Sequence, residues 1–203
     1  MENELANRYN RIYSNRENIY GEPNEIIEQA LSVIHKGTAL ELGAGEGRHS
    51  LLIAKSGLKV KAIDFSEVAI EKINNAAKEA GLDIETSVED IRDFNFENKY
   101  DLLVSTVVLH HFSEDEAVRI IKSMQGHTNE SGINIITTFE KQENPLSDEE
   151  DKFYPTSEFL SNLYDGWEIL KFDSNPVKLV QKNEDGNPRV LSLIEMMAKK
   201  KTE

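Results

Sequence analysis

A glycine-rich stretch, residues 38–48, constrains the fold of this chain more than any other feature of its sequence. It reads Thr-Ala-Leu-Glu-Leu-Gly-Ala-Gly-Glu-Gly-Arg, a short apolar run that ends in glycines at positions 43, 45 and 47. This pattern predicts a strand, a tight turn and the start of a helix. Glycine is required in such a turn because a Cβ would block either the left-handed backbone or a ligand that approaches it. The stretch therefore predicts an α/β protein that holds a nucleotide-like ligand against its backbone.

The spacing of these glycines separates two classes of ligand. A dinucleotide-binding loop reads Gly-x-Gly-x-x-Gly/Ala, with the pyrophosphate at the helix N-terminus. Here Arg48 occupies the last position of that pattern, and the third glycine comes one residue early. The loop instead resembles motif I of class I S-adenosylmethionine-dependent methyltransferases. That resemblance makes S-adenosyl-L-methionine the expected cofactor and implies contacts from Glu41, Gly43, Ala44, Gly45, Gly47 and Arg48.

Strands and helices alternate along the rest of the chain. Strands are predicted at 38–42, 59–64, 84–88, 100–106, 133–139, 167–172 and 189–197. Helices are predicted at 2–14, between 24 and 37, and at 47–56, 66–81, 113–125 and 157–164. Asp185-Gly186 is a hairpin signal between the last two strands. We therefore predict an α/β fold, with a Rossmann-like doubly wound, mostly parallel seven-stranded sheet and a C-terminal antiparallel hairpin.

The length of 203 residues predicts one domain with one sizeable core. We divide this domain, 1–203, into a helical cap, a cofactor-binding core, an acidic loop with a helix, and a hairpin. These segments are 1–37, 38–139, 140–165 and 166–203.

Composition excludes several functional classes. The chain has 37 acidic and 23 basic residues, a net charge of −14, which argues against a nucleic-acid partner. It has no cysteine, and therefore no disulfide, thiolate metal site or cysteine nucleophile. Residues 1–11 lack the apolar region of a signal peptide, and the apolar stretch 102–109 is too short to span a bilayer. We expect a cytoplasmic protein with a small-molecule substrate and no membrane partner, of undetermined oligomeric state.

Acidic side chains lie at the ends of the first three predicted strands. Asp64 follows Gly45 by 19 residues, where a carboxylate can accept hydrogen bonds from both ribose hydroxyls. The alternative is a solvated carboxylate at a strand end. Phe65 packs either on the adenine face or in the core. Glu41 either orients the glycine loop or reaches the methionine amino group through water.

The third strand is followed by Glu89, Asp90 and Ile91. Methyltransferases place here an acid that accepts a hydrogen bond from the adenine amino group. Asp90 is the candidate for that role, and an ordinary turn aspartate is the alternative. Carboxylates at three successive strand ends are more specific than any one of them alone.

The end of the fourth strand leads into a pair of histidines. Backbone carbonyls near Ser105 and Thr106 can hold the amino group of the ligand, and this edge borders the transferred methyl group in such folds. His110 and His111 suggest a general base or a metal site. Adjacent side chains point in different directions, and no carboxylate or cysteine completes a metal site. We therefore expect no metal and one histidine lining the acceptor pocket.

Three tyrosines precede the first strand. Tyr9, Tyr13 and Tyr20 either fold over the cofactor and exclude water, or pack on the surface. Arg48 either pairs with the methionine carboxylate, attracts an anionic acceptor, or is a surface arginine. Tyr20 is taken as a cofactor contact, and the catalytic candidates are His110, His111, Arg48 and Tyr9.

Beyond the glycine loop, the chain resembles the tellurite-resistance methyltransferase family over nearly its whole length. The matching stretches are 20–23, 42–48, 100–101, 105–109, 124–125, 164–168, 185–187 and 197–200. The resemblance implies methyl transfer to a small acceptor, with an oxyanion of tellurium or selenium as the specific candidate. Two departures weaken that candidate: Val180-Gln181 replaces a His-Arg pair of the family, and the acidic run 148–151 would repel an oxyanion.

The predicted reaction is in-line displacement on the sulfonium methyl group, in which the protein supplies position, desolvation and electrostatics. A neutral thiol, amine or hydroxyl metabolite is the alternative acceptor. A nicotinamide-dependent dehydrogenase is the competing enzyme class, and a cofactor-binding regulatory module is the competing non-enzyme.

Overall fold

The computed structural model describes residues 2–15, 21–142, 152–182 and 188–202. The strands are β1 (Thr38–Leu42), β2 (Lys59–Asp64), β3 (Ile84–Val88), β4 (Tyr100–Thr106), β5 (Thr128–Phe139), β6 (Glu168–Lys182) and β7 (Pro188–Lys199). The helices are α1 (Glu2–Asn15), α2 (Glu25–Leu31), α3 (Arg48–Lys55), α4 (Glu67–Ala80), α5 (Glu114–Gly126) and α6 (Ser157–Leu163), with a 3₁₀ turn at Leu109–His111. In this part of the chain, no helix is both long enough and apolar enough to cross a membrane.

The seven strands form one sheet in the order β3-β2-β1-β4-β5-β7-β6. Pairing is parallel from β3 through β5, and β7 runs antiparallel between β5 and β6. The strand order reverses between β1 and β4, which is where open α/β sheets bind ligands, at the carboxyl ends of the strands. The predicted fold class is confirmed.

The two faces of the sheet bury different side chains because successive residues of a strand point in opposite directions. Leu40 and Leu42 of β1 belong to a cluster with residues of α5 and α6. Ala39 belongs to a second cluster, with residues of α2 and α3. Near the first cluster, the buried Tyr164 hydroxyl accepts a hydrogen bond from Asn134 Nδ2 at 3.0 Å. Burial on both faces explains why β4 reads as a nearly continuous apolar run.

Helix ends follow the capping chemistry of the sequence. Ser66 caps α4 by accepting a hydrogen bond from Ala69 N, and Gly81 ends the helix in the left-handed conformation. Ser113 and Glu116 form the predicted capping box of α5. Asn24 occupies the N-cap position of α2, but its side chain makes no capping hydrogen bond.

Three strands are longer than their apolar patterns predict. β5 begins five residues early, and Thr128 pairs with Tyr100 before a register shift. β6 continues to Lys182, through polar residues that lie at the sheet edge and pair with β7. These extensions consist mostly of polar or small residues, so the alternation of apolar residues does not mark them. The acidic run 148–151 lies outside the described residues, and the division into four segments stays a prediction.

Candidate active site

The glycine loop lies at the carboxyl end of β1, where the strand order reverses. Gly43, Gly45 and Gly47 all have positive φ, at 70°, 55° and 81°. A Cβ on Gly43 would lie 2.5 Å from Val108 Cγ2, and one on Gly47 would lie 2.6 Å from Ile73 Cγ1. Two of these glycines are therefore required by close packing as well as by backbone conformation.

Asp64 ends β2 beside this loop and is 4% exposed. Its Oδ2 accepts a hydrogen bond from Gly45 N at 2.9 Å, and its Oδ1 accepts one from Ser66 N at 2.8 Å. Burial raises the pKa of Asp64 to about 6, against the two backbone hydrogen bonds, which lower it. The alternative of a solvated carboxylate is wrong. A carboxylate has about four acceptor sites, so ribose binding stays compatible with these two contacts.

Glu41 is buried among polar side chains from the first turn of α3. Its Oε1 lies 3.0 Å from His49 Nδ1, and its Oε2 accepts a hydrogen bond from Ser50 Oγ. Thr106 Oγ1, at the end of β4, lies 3.3 Å from the same His49 nitrogen. The carboxylate is thus fixed by the first turn of α3, directly after the loop, and its role in orienting the loop or in reaching the methionine amino group through water stays a prediction.

Asp90 lies two residues beyond β3 and is engaged by Arg92. Oδ1 accepts hydrogen bonds from Arg92 N and Nε at 2.8 and 3.0 Å, and Oδ2 accepts one from Nη2 at 2.6 Å. The Arg92 hydrogen bond holds the pKa of Asp90 below its usual range. Glu89 N donates to Asp64 O, and Ile91 is buried in the core. An adenine amino group would therefore share Asp90 with Arg92.

The chain is strained where β4 ends. Val107 has φ 52°, a left-handed conformation that is costly for a β-branched residue and is found mainly at functional sites. Its N–H donates to Thr137 O, and the next side chain, Val108, contacts the glycine loop. Ser105 Oγ is buried and has no hydrogen-bond partner within the described part of the chain. This strand end thus presents an unsatisfied hydroxyl beside the loop.

His110 and His111 lie in the 3₁₀ turn, with ring centroids 4.0 Å apart. His111 Nε2 is 2.8 Å from the Tyr9 hydroxyl. Burial lowers the pKa of His111 to about 4 and that of His110 well below its usual range, and the positive charge of Lys152 acts in the same direction. Both rings are therefore neutral near pH 7. Across the described ranges, no group of three or more His, Cys, Asp or Glu residues could hold a metal ion.

Helix α1 covers this site with aromatic side chains. The Tyr9 ring contacts Phe65 edge-on at 5.6 Å and His111 at 5.5 Å between centroids. The Tyr13 hydroxyl is 3.1 Å from the position of a Cβ on Gly45. Tyr13 therefore lies beside the loop and Tyr9 beside Phe65 and His111, whereas Tyr20 lies outside the described residues.

Arg48 contacts the backbone of the segment before α2. Its Nη1 donates a hydrogen bond to Glu22 O at 2.8 Å, in the segment that precedes α2. The structure thus brings the glycine loop, Asp64, the end of β4 and the histidine pair together, and gives Arg48 a contact that the sequence did not predict.

A family model described as tellurite resistance protein TehB matches residues 5–197. The chain belongs to the TehB family. A probable S-adenosyl-L-methionine-dependent methyltransferase TehB of Haemophilus influenzae strain 10810 is 30% identical over 189 residues, which are 93% of this chain and 66% of that protein. The crystal structure of TehB from Haemophilus influenzae has a TM-score of 0.80 at 29% identity, over 95% of this chain and 67% of that one. The chain thus spans about two-thirds of the length of these TehB relatives.

A more distant structure shares the fold. Magnesium protoporphyrin IX methyltransferase from Synechocystis, solved with bound S-adenosylhomocysteine, has a TM-score of 0.72 at 14% identity and covers 98% of this chain. The fold of this TehB-family chain is therefore that of class I methyltransferases.

Sequence reasoning missed His49 and Arg92 in this TehB-family site. His49 is 2% exposed and holds Glu41, and Arg92 holds Asp90. A signal for the first was available, because a buried carboxylate requires partners and the next helical turn is the nearest source of them.

Proposed function

We propose that this chain transfers a methyl group from S-adenosyl-L-methionine to a small-molecule acceptor. The observation that carries the proposal is the glycine loop at the topological switch point, with the buried Asp64 carboxylate bound to its Gly45 N–H. Membership of the TehB family supports it, because relatives in that family are named as probable S-adenosylmethionine-dependent methyltransferases.

The described residues fit such a cofactor. Added Cβ atoms would clash with neighbouring side chains, so these loop positions must be glycine. The backbone of the loop therefore carries no side chains there, and a ligand can approach it. The remaining acceptor sites of Asp64 suit two ribose hydroxyls, and Phe65 offers apolar surface for adenine. Glu41, Ser105 and Thr106 lie on the side of the loop where the methionine amino group would be held. The buried Ser105 hydroxyl without a described partner is consistent with a polar ligand there.

In this proposal, residues of the chain act by position and by exclusion of water. When bound, S-adenosylmethionine supplies an electrophilic methyl group. Tyr9 and Tyr13 close the site from the side of α1 and shield the reacting centre from water. His110 and His111 line the acceptor side as neutral rings, since burial holds the pKa of both below its usual range. A soft or anionic acceptor has no proton to lose, so neither ring is required as a base.

The specific acceptor that we propose is an oxyanion of tellurium or selenium. The positive charge of Lys152 acts on both histidines, so the acceptor side lies within the field of a cation. The net charge of −14 opposes the approach of an anion, but a local charge-assisted contact outweighs a field that salt screens over about 8–10 Å. A neutral thiol, amine or hydroxyl metabolite is the second candidate, and the neutral imidazoles favour it.

Transfer of a labelled methyl group tests the proposal. The protein is given methyl-labelled cofactor with selenite, tellurite and a panel of neutral thiols, amines and hydroxyl compounds, at low and high salt. We expect label in selenium or tellurium products, with a rate that rises with salt as the repulsive field is screened. Transfer to neutral acceptors alone contradicts the oxyanion, and cofactor binding without transfer to any acceptor favours a regulatory module.

A matched pair of variants tests the cation. Lys152→Gln is expected to weaken use of the oxyanion and to leave cofactor binding unchanged. Lys36→Gln is the control. It removes the same charge next to the amino end of β1, whereas the loop lies at the carboxyl end of that strand. Equal effects of the two changes would show that only the overall charge matters.

A further inference from the structure

His49 makes a set of contacts that the proposed reaction does not use. It lies in the first turn of α3 and is almost fully buried. Its Nδ1 faces Glu41 at 3.0 Å. On the other side of the ring, Nε2 accepts a hydrogen bond from the backbone N–H of Asn24 at 3.3 Å, and the side-chain Oδ1 of Asn24 lies 3.4 Å from the same nitrogen. One imidazole thus connects the carboxylate at the end of β1 with the segment that precedes α2.

The backbone contact indicates the tautomer of this ring, because the N–H of Asn24 can only donate. Because Nε2 accepts from the Asn24 N–H, the neutral ring carries its proton on Nδ1, which donates to Glu41. Thr106 Oγ1 lies 3.3 Å from the same nitrogen, so the end of β4 also faces the donor. His49 therefore has a donor side directed at the ligand edge of the sheet and an acceptor side directed at residues 21–24.

A second contact joins the same two parts of the chain. Arg48, the neighbour of His49 in α3, donates to Glu22 O at 2.8 Å. Two successive residues of the first turn of α3 thus hold residues 22 and 24 by their backbone groups, one accepting and one donating. Because α3 begins directly after the glycine loop, the position of the loop and that of residues 21–24 are tied together.

We propose that His49 is a positioning residue that couples residues 21–24 to Glu41 and the glycine loop. The coupling itself is independent of the proposed function, whereas its effect on cofactor affinity rests on that function. Loss of the Asn24 contact would let residues 21–24 move away from the loop. Binding of a ligand to the loop would in turn protect the Asn24 amide, because coupling between two sites is reciprocal.

Two substitutions at one position isolate the hydrogen bond. Asn24 has φ −68°, which suits proline, and its side chain makes no capping hydrogen bond. Asn24→Pro removes the N–H donor, and Asn24→Ala keeps it. Both variants lose the side-chain Oδ1 that lies 3.4 Å from His49 Nε2, so their difference isolates the backbone N–H. We expect Asn24→Pro to bind S-adenosylhomocysteine about threefold to tenfold more weakly than Asn24→Ala, the effect of one hydrogen bond. Equal affinities for the two variants would overturn the assignment.

His49→Asn provides the complementary change. Its amide can still donate to Glu41 from near the place of Nδ1, but it does not reach Asn24. We expect the same threefold to tenfold loss as for Asn24→Pro, and no further loss when both changes are combined, because they remove one contact. Additive losses in the double variant would show that His49 acts independently of Asn24.

Amide hydrogen exchange separates positioning from a purely structural role. In the wild type, S-adenosylhomocysteine should slow exchange of the Asn24 amide, and in His49→Asn this response should disappear. Without ligand, His49→Asn should raise exchange of that amide about tenfold. If the wild type binds no S-adenosylhomocysteine, the proposed function fails and the ligand-free exchange alone decides the coupling. Unchanged exchange in His49→Asn would refute it.

Discussion

Two opposing effects act on the ionised form of Asp64. Its ionised form holds the backbone of the glycine loop and suits the ribose hydroxyls of the proposed cofactor, yet burial disfavours that form. The folded-state pKa of about 6 lies above the unfolded value of 3.8, so the folded protein binds more protons between pH 4 and 6. The contribution of this group to stability is therefore present at low pH and is lost as pH rises through about 6.

A pH series on Asp64→Asn tests this conclusion. The free energy of unfolding of the wild type, relative to that of the variant, should fall by about 2.4 kcal/mol between pH 4 and pH 7, at 1.36 kcal/mol for each pKa unit, because the unfolded carboxyl is already more than half ionised at pH 4. Urea denaturation at pH 4, 5, 6 and 7 measures the difference. A difference that is constant across this range would mean that Asp64 titrates alike in both states.

A glycine of the loop can be compared with the glycine that ends α4. Gly43 has φ 70° and Gly81 has φ 65°, but an added Cβ meets Val108 only at Gly43. Gly81→Ala should cost about 1–2 kcal/mol for the left-handed backbone alone. Gly43→Ala should cost more, since Val108 must also shift. Urea denaturation of both variants gives the comparison, and equal losses would show that packing against Val108 is unimportant.

At the scale of elements, the hydrogen bond between α1 and the 3₁₀ turn joins the aromatic cover to the histidine pair. His110→Ala and His111→Ala should each raise the KM for the acceptor more than they lower the turnover at saturation, because we propose that these neutral rings line the acceptor pocket and do not abstract a proton. Steady-state kinetics with saturating cofactor measures both quantities. A loss of turnover of about 10²–10⁴-fold with intact cofactor binding would identify a general base instead.

The sequence predicts elements well where burial and caps mark them. β2, β3 and β4 have the predicted bounds, since apolar residues and capping side chains delimit them. The extensions of β5, β6 and β7 were not predicted, because they consist mostly of polar or small residues that pair through the backbone without a regular apolar pattern. The sequence did not predict the partners of the site carboxylates, for a different reason. His49 and Arg92 act through side-chain contacts that only the folded geometry defines.

At the scale of the whole molecule, the sheet order and the family agree. The order β3-β2-β1-β4-β5-β7-β6 places the ends of β1, β2 and β4 around one loop, and the chain belongs to the TehB family. The C-terminal antiparallel hairpin distinguishes this sheet from a purely parallel dinucleotide-binding one. The glycine spacing and the sheet therefore both favour a sulfonium cofactor over a nicotinamide one.

Calorimetric titration of the purified protein with S-adenosylhomocysteine, and separately with NADH, tests the central claim most directly. We predict binding of S-adenosylhomocysteine and no measurable binding of NADH. Asp64→Ala should weaken the free energy of S-adenosylhomocysteine binding by roughly 1.5–3 kcal/mol, the scale of hydrogen bonds to a charged group. Binding of NADH without binding of S-adenosylhomocysteine would contradict the account.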